Sequence, residues 1–298
     1  MSSPLHAAWY ADTAVQEQVE IVENVRLAKD TYRLRFQAPE IAKRVVPGQF
    51  LMLRLADLND PLIGRPLALY DTALSATGEH HGVDVVYVVK GKLTSRLQHI
   101  CPGERLDVWG PLGNGFHRSP LTTHHSPLTP HLILVAGGIG FTPFLAVAKE
   151  ALGAKNYGDE TRVPACPVRV TFCYGARTAD YFAGVEEFEK LGVDVRLATD
   201  DGSLGRRGLV TELLQEVLAE STQGARIACC GPEPMMEAVA KIAEQRNVPC
   251  ELSLETPMAC GIGICFTCVA KIRQPDGGWD YKRTCVEGPV FDSALIEW

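Results

Sequence analysis

Four of the ten cysteines crowd the C-terminal end as Cys260-x4-Cys265-x2-Cys268, followed after sixteen residues by Cys285. Three thiolates on one tight loop, with a fourth returning from a distance, is the spacing that holds a 2Fe-2S cluster. In Cys260-Gly261-Ile262-Gly263-Ile264-Cys265 the two glycines lack a Cβ. They let the backbone take positive φ and turn amide N–H groups toward a negatively charged cluster. Zinc is the competing reading, but zinc sites more often pair two short hooks, whereas here a three-cysteine hook meets a single distant cysteine. A disulfide staple is a third reading.

The other six cysteines (Cys101, Cys166, Cys173, Cys229, Cys230 and Cys250) are scattered, mostly among apolar neighbours. Each is expected to be a reduced, core-packed thiol, which suits a cytoplasmic protein. At 298 residues the chain is long enough for two or three modules with their own cores. Met1–Tyr10 lacks a basic start followed by a long apolar run, and no stretch of eighteen apolar residues occurs. Export and membrane spanning are therefore not expected. The formal net charge is −7 and there is no basic block, which argues against nucleic acid and leaves small molecules or proteins as partners.

Three modules must position the chemistry. Residues 15–116 read as six short alternating segments: Val19–Leu27, Thr31–Phe36, Gln49–Leu55, Pro66–Tyr70, Val83–Val89 and Arg105–Trp109. They predict a small antiparallel β-barrel. His117–His131 is rich in Pro, Thr, Ser and His and reads as a linker, with His124 and His125 as solvated residues rather than metal ligands. Residues 131–250 then alternate buried strands (His131–Ala136, Val168–Tyr174, Val193–Ala198, Arg226–Cys230) with amphipathic helices (Phe144–Leu152, Ala183–Leu191, Val210–Ala219, Met235–Gln245). This is the grammar of an open parallel α/β sheet. Residues 251–298 hold the cluster loop, a hairpin around Asp276-Gly277-Gly278 and a tail.

Within the α/β module, the first strand runs into Gly137-Gly138-Ile139-Gly140-Phe141-Thr142-Pro143 and a helix. Thr142 can cap that helix, Pro143 fits its first position, and the free N–H groups at its start can seat a pyrophosphate. A plain tight strand-to-helix turn is the alternative. A second turn, Cys230-Gly231-Pro232, ends the last strand at the carboxyl edge, where open α/β sheets place their ligands. The same edge carries Asp200 and Asp201, which could accept from ribose hydroxyls and repel a 2′-phosphate, favouring NAD. Arg206 and Arg207 could instead attract that phosphate, favouring NADP; the balance of these features leans to NAD. In the barrel, Gly64-Arg65-Pro66-Leu67-Ala68-Leu69-Tyr70 opens a strand whose arginine can pair with a diphosphate while the following backbone lies against a flat ring. Gly91-Lys92-Leu93-Thr94 looks like a turn into a short helix and a further phosphate-binding opportunity.

In this order the pieces resemble the ferredoxin-NADP reductase superfamily: a flavin barrel with an R-P-x-S motif, then a nicotinamide module with G-G-x-G-x-x-P and C-G-P. The C-terminal cluster narrows the resemblance to the electron-transfer subunits of NAD-dependent (class 1B) dihydroorotate dehydrogenases. Their signature is similar to Glu255-Thr256-Pro257-Met258-Ala259-Cys260-Gly261-Ile262-Gly263-Ile264-Cys265 and Cys285-Val286-Glu287-Gly288-Pro289-Val290-Phe291. The likeness spans about residues 15 to 298. It implies FAD held by Arg65, Pro66, Leu67, Ala68, Val86, Tyr87, Val88, Leu93 and Thr94. It implies NAD held by Gly137, Gly138, Gly140, Thr142, Pro143, Asp200, Cys230, Gly231 and Pro232, and a 2Fe-2S cluster on the four cysteines. Two positions depart from the pattern. Ala68 stands where serine is usual, removing a hydroxyl near the flavin N5 region, and Leu93 replaces a glycine of the usual G-x-G-T turn.

The resemblance further implies a relay in pyrimidine biosynthesis. A partner subunit bearing FMN oxidises dihydroorotate, and electrons pass through the cluster and FAD to NAD+, in an assembly of two plus two chains. Small subunits of NADH-dependent ferredoxin reductases and sulfide dehydrogenases share the design and are the alternative. A self-contained reductase with its own ferredoxin domain does not fit, because the forty-eight residues from 251 to 298 cannot build one that stands alone. A zinc-bearing scaffold leaves the flavin and nucleotide turns without a purpose.

Overall fold

The computed structural model describes residues 11–117, 131–158, 169–221 and 224–298. The expected linker, with His124 and His125, lies for the most part outside the described residues, as does Cys166.

Six strands close into an antiparallel barrel: β1 (Val15–Ala28), β2 (Thr31–Gln37), β3 (Phe50–Leu55), β4 (Arg65–Leu74), β5 (His80–Val88) and β6 (Arg105–Leu112), in the order β1-β2-β5-β4-β3-β6. Closure explains the length of β1. Its first half pairs with β6 and its second with β2, with an irregularity between Ile21 and Glu23 where it changes partners. Alternation then sends Leu34, Phe36, Leu51, Leu53, Leu69, Val85, Leu106 and Val108 inward to one core. Two short helices, α1 (Pro39–Ala42) and α2 (Lys92–Leu97), accompany the barrel.

The second sheet contains β7 (His131–Gly137), β8 (Arg169–Ala176), β9 (Asp194–Thr199), β10 (Arg206–Arg207), β11 (Ala225–Cys230) and β12 (Cys250–Ser253), all parallel. Its helices are α3 (Phe144–Ala151), α4 (Val185–Lys190), α5 (Val210–Glu220) and α6 (Glu233–Arg246). The C-terminal residues do more than form a loop and a tail. After the hairpin β13 (Val269–Arg273) and β14 (Trp279–Arg283), strand β15 (Val290–Asp292) returns to pair antiparallel with β12 and becomes the edge of the nucleotide sheet. Val290, Phe291 and Ile296 are buried in this way, while Leu295 and Trp298 remain exposed.

Barrel and sheet share a core in which Tyr70, Val86 and Phe116 meet Phe141, Phe144, Phe172 and Tyr174. A polar knot reinforces the seam. Buried Asp71 of β4 accepts from Lys149 at 2.5 Å, Lys155 at 2.7 Å and Tyr157 at 2.7 Å. Beside it the Tyr70 hydroxyl donates to Glu187 of α4. A carboxylate taken out of water in this way is stable only with such partners.

Candidate functional site

The cluster hook folds as the glycines require. Gly261 and Gly263 have φ of +74° and +81°. A Cβ at Gly261 would lie 2.6 Å from Met52 Cγ, and one at Gly263 would lie 2.5 Å from Val286 Cγ2. The turn aims the Ile262 amide at Cys260 Sγ, 3.4 Å away. Arg283 braces the loop by donating to the Gly263 carbonyl at 3.1 Å, while Glu287 grips its guanidinium through Nη2 at 2.8 Å. Thr284 ties the distant cysteine to the hook by donating from both N and Oγ1 to the Cys268 carbonyl.

Within the hook the four thiols associate in two pairs, Cys260 with Cys265 and Cys268 with Cys285. Among the described residues no three cysteine, histidine or carboxylate side chains converge as a single-ion site requires. A lone tetrahedral zinc needs all four sulfurs around one point. A 2Fe-2S cluster takes four cysteines, two on each of its two irons, and the two-by-two arrangement fits it. Acidity separates Cys265 and Cys268 from the cysteines outside the site, while the neighbouring Cys268 thiolate and burial push Cys285 up. Hydrogen bonds from Thr267 lower the Cys265 thiol to about 6, and a hydrogen bond from Cys285 lowers Cys268 to about 6, so that pair shares a proton with Cys268 as its anionic member. Burial instead pushes Cys173, Cys230 and Cys250 up to about 12, which keeps them as neutral packing groups. Among the described cysteines outside the site, Cys173, Cys229 and Cys250 are core-packed as expected, whereas Cys230 is only half-buried and Cys101 is exposed on the turn after α2.

The hook rests on the outer face of the barrel. Phe50, Met52 and Leu112 form one buried cluster with Cys268, Cys285 and Val286, and Trp109 packs against it. Register places β4, the strand expected to meet the flavin, on that same face. Pro66 and Ala68 of β4 stand opposite Met52 and Phe50 of β3, which in turn stand opposite Trp109 and Leu112 of β6. One strand spacing, about 5 Å, separates β4 from β3, whose Phe50 and Met52 lie under the hook. Arg65 is exposed, and its Nη1 donates to the carbonyls of Ile63 and Gly64 at 3.0 Å each. No carboxylate pairs with it among the described residues, so the rest of its fork is available to a diphosphate. Replacing Arg65 by Ala is expected to weaken FAD binding by roughly 1.5–3 kcal/mol. Isothermal titration of the deflavinated chain measures it, and unchanged affinity would move the diphosphate elsewhere.

Other residues of the expected flavin set are distributed differently. Leu93 points into the barrel core at 1% exposure, which is why a side chain is accommodated where a glycine is usual. Thr94 is occupied locally, its Oγ1 accepting from the amides of Lys90 and Gly91 at 3.0 and 3.1 Å. Tyr87 is buried in the barrel core and donates to Asn24 at 3.1 Å, Val86 joins the seam with the sheet, and Leu67 packs on the barrel core. Val88 is half-buried and pairs with Thr31.

At the carboxyl edge of the second sheet the two turns interlock. A Cβ on Gly140 would lie 2.2 Å from the Cys230 carbonyl oxygen, and one on Gly137 would lie 2.6 Å from Met235 Sδ. A Cβ on Gly231 would fall 2.9 Å from Gly137 N. These three glycines serve backbone approach between turns. Gly138, with φ of +54° and nothing within 4 Å, is the one that faces open space. Thr142 does not cap α3: a 3-10 turn over Gly138–Phe141 leaves it already helical, and Pro143 takes the N-cap position without a side-chain bond. Pro232 is the N-cap of α6. Asp200 is exposed at the end of β9, and Asp201 accepts from Ser203 N and Oγ at 3.0 and 2.6 Å. Arg206 is tied to Glu212 at 2.9 Å and to Glu216, whereas Arg207 has no carboxylate partner among the described residues.

Met52 and Trp109, which join hook to barrel, have no signature in the sequence. Only barrel closure reveals which face each occupies.

Three family models match the chain in succession: an oxidoreductase FAD-binding domain over residues 18–117, an oxidoreductase NAD-binding domain over residues 134–241, and the iron-sulfur cluster binding domain of dihydroorotate dehydrogenase B over residues 255–297. The chain is 35% identical over 274 residues to the dihydroorotate dehydrogenase B (NAD(+)) electron transfer subunit of Desulforamulus reducens, covering 91% of this chain and 94% of that one. It is 33% identical to the subunit of the same description from Caldanaerobacter subterraneus subsp. tengcongensis, covering 92% and 95%. Among solved structures, the NADH-dependent reduced ferredoxin-NADP oxidoreductase aligns with a TM-score of 0.72 at 29% identity, over 94% of this chain and 90% of that one. The cytochrome b5 reductase domain of Ulva prolifera nitrate reductase shares the fold alone, with a TM-score of 0.58 at 18% identity, over 78% and 93%. The order of barrel, nucleotide sheet and paired-cysteine hook, together with these likenesses, places the chain in the family of dihydroorotate dehydrogenase B (NAD(+)) electron transfer subunits.

Proposed function

We propose that this chain is the electron-transfer subunit of an NAD-dependent dihydroorotate dehydrogenase, linking an FMN-bearing partner that oxidises dihydroorotate to NAD+ by way of a 2Fe-2S cluster and FAD. The observation that carries this reading is the seating of the cysteine hook on the barrel face that bears Pro66 and Ala68. When bound, the cluster carries single electrons, nicotinamide takes two as hydride, and the flavin exchanges both ways. The chain's own residues hold these groups in order. Cys260, Cys265, Cys268 and Cys285 offer thiolates, Arg65 offers a fork for a diphosphate, and Gly138 leaves an open approach at the nucleotide edge. The described residues contain no (β/α)8 barrel, a fold of about 250 residues, so substrate oxidation belongs to the partner. A two-plus-two assembly in the cytoplasm is the proposed setting; the cysteines unpaired among the described residues suit a reducing compartment. No described helix is long and apolar enough to cross a membrane.

NADH is expected to reduce the bound flavin with higher kcat/KM than NADPH. A 2′-phosphate near Asp200 meets like charge, and Arg206 is already held by two glutamates. Stopped-flow reduction with each nucleotide checks this, and a preference for NADPH would make Arg207 the dominant contact.

The likeness at 29% identity to an NADH-dependent ferredoxin-NADP oxidoreductase favours a second reading, a small subunit of that kind of enzyme or of a sulfide dehydrogenase. The protein that co-purifies with the untagged complex separates the two. An FMN-containing subunit that oxidises dihydroorotate is expected. One that reduces ferredoxin or oxidises sulfide would replace the first reading by the second.

A further inference from the structure

Trp109 touches both redox modules at once. Its Nε1 donates to the Cys260 carbonyl at 2.9 Å, fixing the first cysteine of the hook. The far edge of the same indole lies against Gly64, the residue before Arg65: a Cβ at Gly64 would sit 2.6 Å from Trp109 Cη2. Gly64 is buried and its φ is not positive, so a Cβ there is opposed first by the ring and then by the Leu53 carbonyl oxygen, 3.0 Å away, and not by backbone strain. Met52, fully buried between Trp109 and Pro66 in the sheet register, fills the space beneath and touches the hook at Gly261. The indole is therefore a rigid spacer with one end bonded to the cluster loop and the other pressed on the start of the flavin strand.

We propose that Trp109 is a positioning residue for electron transfer between FAD and the cluster, setting the placement of the Cys260 end of the hook relative to the Arg65–Ala68 strand. This rests on the function proposed above. A bare packing role would be satisfied by any large apolar side chain; the hydrogen bond to Cys260 and the matched glycine at position 64 call for an indole. Trp109→Phe keeps the ring and deletes the donor. Gly64→Ala keeps the donor and displaces the ring from the flavin side.

The test uses the full chain with its cofactors, mixed with NADH in a stopped-flow instrument, following flavin and cluster absorbance separately and recording the EPR spectrum of the reduced cluster. In W109F we expect iron and FAD contents to be retained and flavin reduction by NADH to stay within about twofold. Cluster reduction should slow several-fold, well beyond any change in flavin reduction, and the EPR line shape should shift. G64A is expected to reproduce the slowed cluster step, and it carries the test should W109F fail to hold its iron. Unchanged cluster reduction and an unchanged spectrum in a variant that retains its iron would overturn the proposal. So would an equal fall in flavin reduction, which would make Trp109 part of the flavin site. A wild-type chain with flavin but no cluster would instead defeat the underlying function.

Discussion

Replacing Cys265 by Ser is expected to abolish the visible absorbance of the cluster and release its iron while most FAD stays bound. The wild-type chain is expected to carry about two irons, two acid-labile sulfides and one FAD. Cys265 is the exposed member of the hook and its thiol is already lowered to about 6 by Thr267, so a serine hydroxyl substitutes poorly for an anionic ligand. The expected flavin strand β4 lies on a different element, beyond β3 on which the hook rests, and the barrel core does not include the cysteines. Metal analysis, sulfide determination and flavin release on denaturation read the result. Zinc without sulfide would contradict the cluster, and joint loss of iron and FAD in C265S would contradict the separation of the two sites.

The turn of the cysteine hook was legible in the sequence because a hook is a local object: spacing and two glycines determine it, and the fold leaves both at positive φ. The barrel strands were partly legible for a similar reason, since alternation at period two survives in parts of β1, β2 and β6, whereas β3 is buried on both faces because the hook covers its outer side. What escaped the sequence depends on distant pairing. Strands β12 and β15, of four and three residues, are too short for a period and exist because each completes the other's ladder at the sheet edge. Leu93 looked like a disturbed phosphate turn until the barrel core received its side chain. Thr142 carried a capping residue type in the right place, yet the 3-10 turn before it had already begun the helix. Gly137, Gly140 and Gly231 read as ligand glycines, whereas the interlocking of two turns uses all three and leaves Gly138 to the open side. Arg206 and Arg207 looked interchangeable, but only tertiary structure commits Arg206 to Glu212 and Glu216.

The other large effect concerns the division of labour between this chain and its partner. Alone, the chain is expected to pass electrons from NADH to an artificial dye, because the nucleotide edge and the flavin strand face a shared seam within one chain. It is expected to leave dihydroorotate untouched, because barrel, sheet and hook account for the described residues and include no (β/α)8 barrel to bear that chemistry. The tail sharpens the contrast. Val290, Phe291 and Ile296 are consumed in the body of the protein, while Leu295 and Trp298 stay exposed and are available to a partner. Removing residues 294–298 should accordingly weaken the complex more than it reduces dye reduction.

The most direct measurement is dihydroorotate-dependent reduction of NAD+, followed at the absorbance of NADH, for the homogeneous chain before and after addition of the FMN-containing subunit. The account predicts no NADH above background from the chain alone and steady production once the two are combined, lost again when the chain carries Cys265→Ser. Production of NADH from dihydroorotate by the isolated chain, or undiminished production with the C265S variant in the complex, would contradict it.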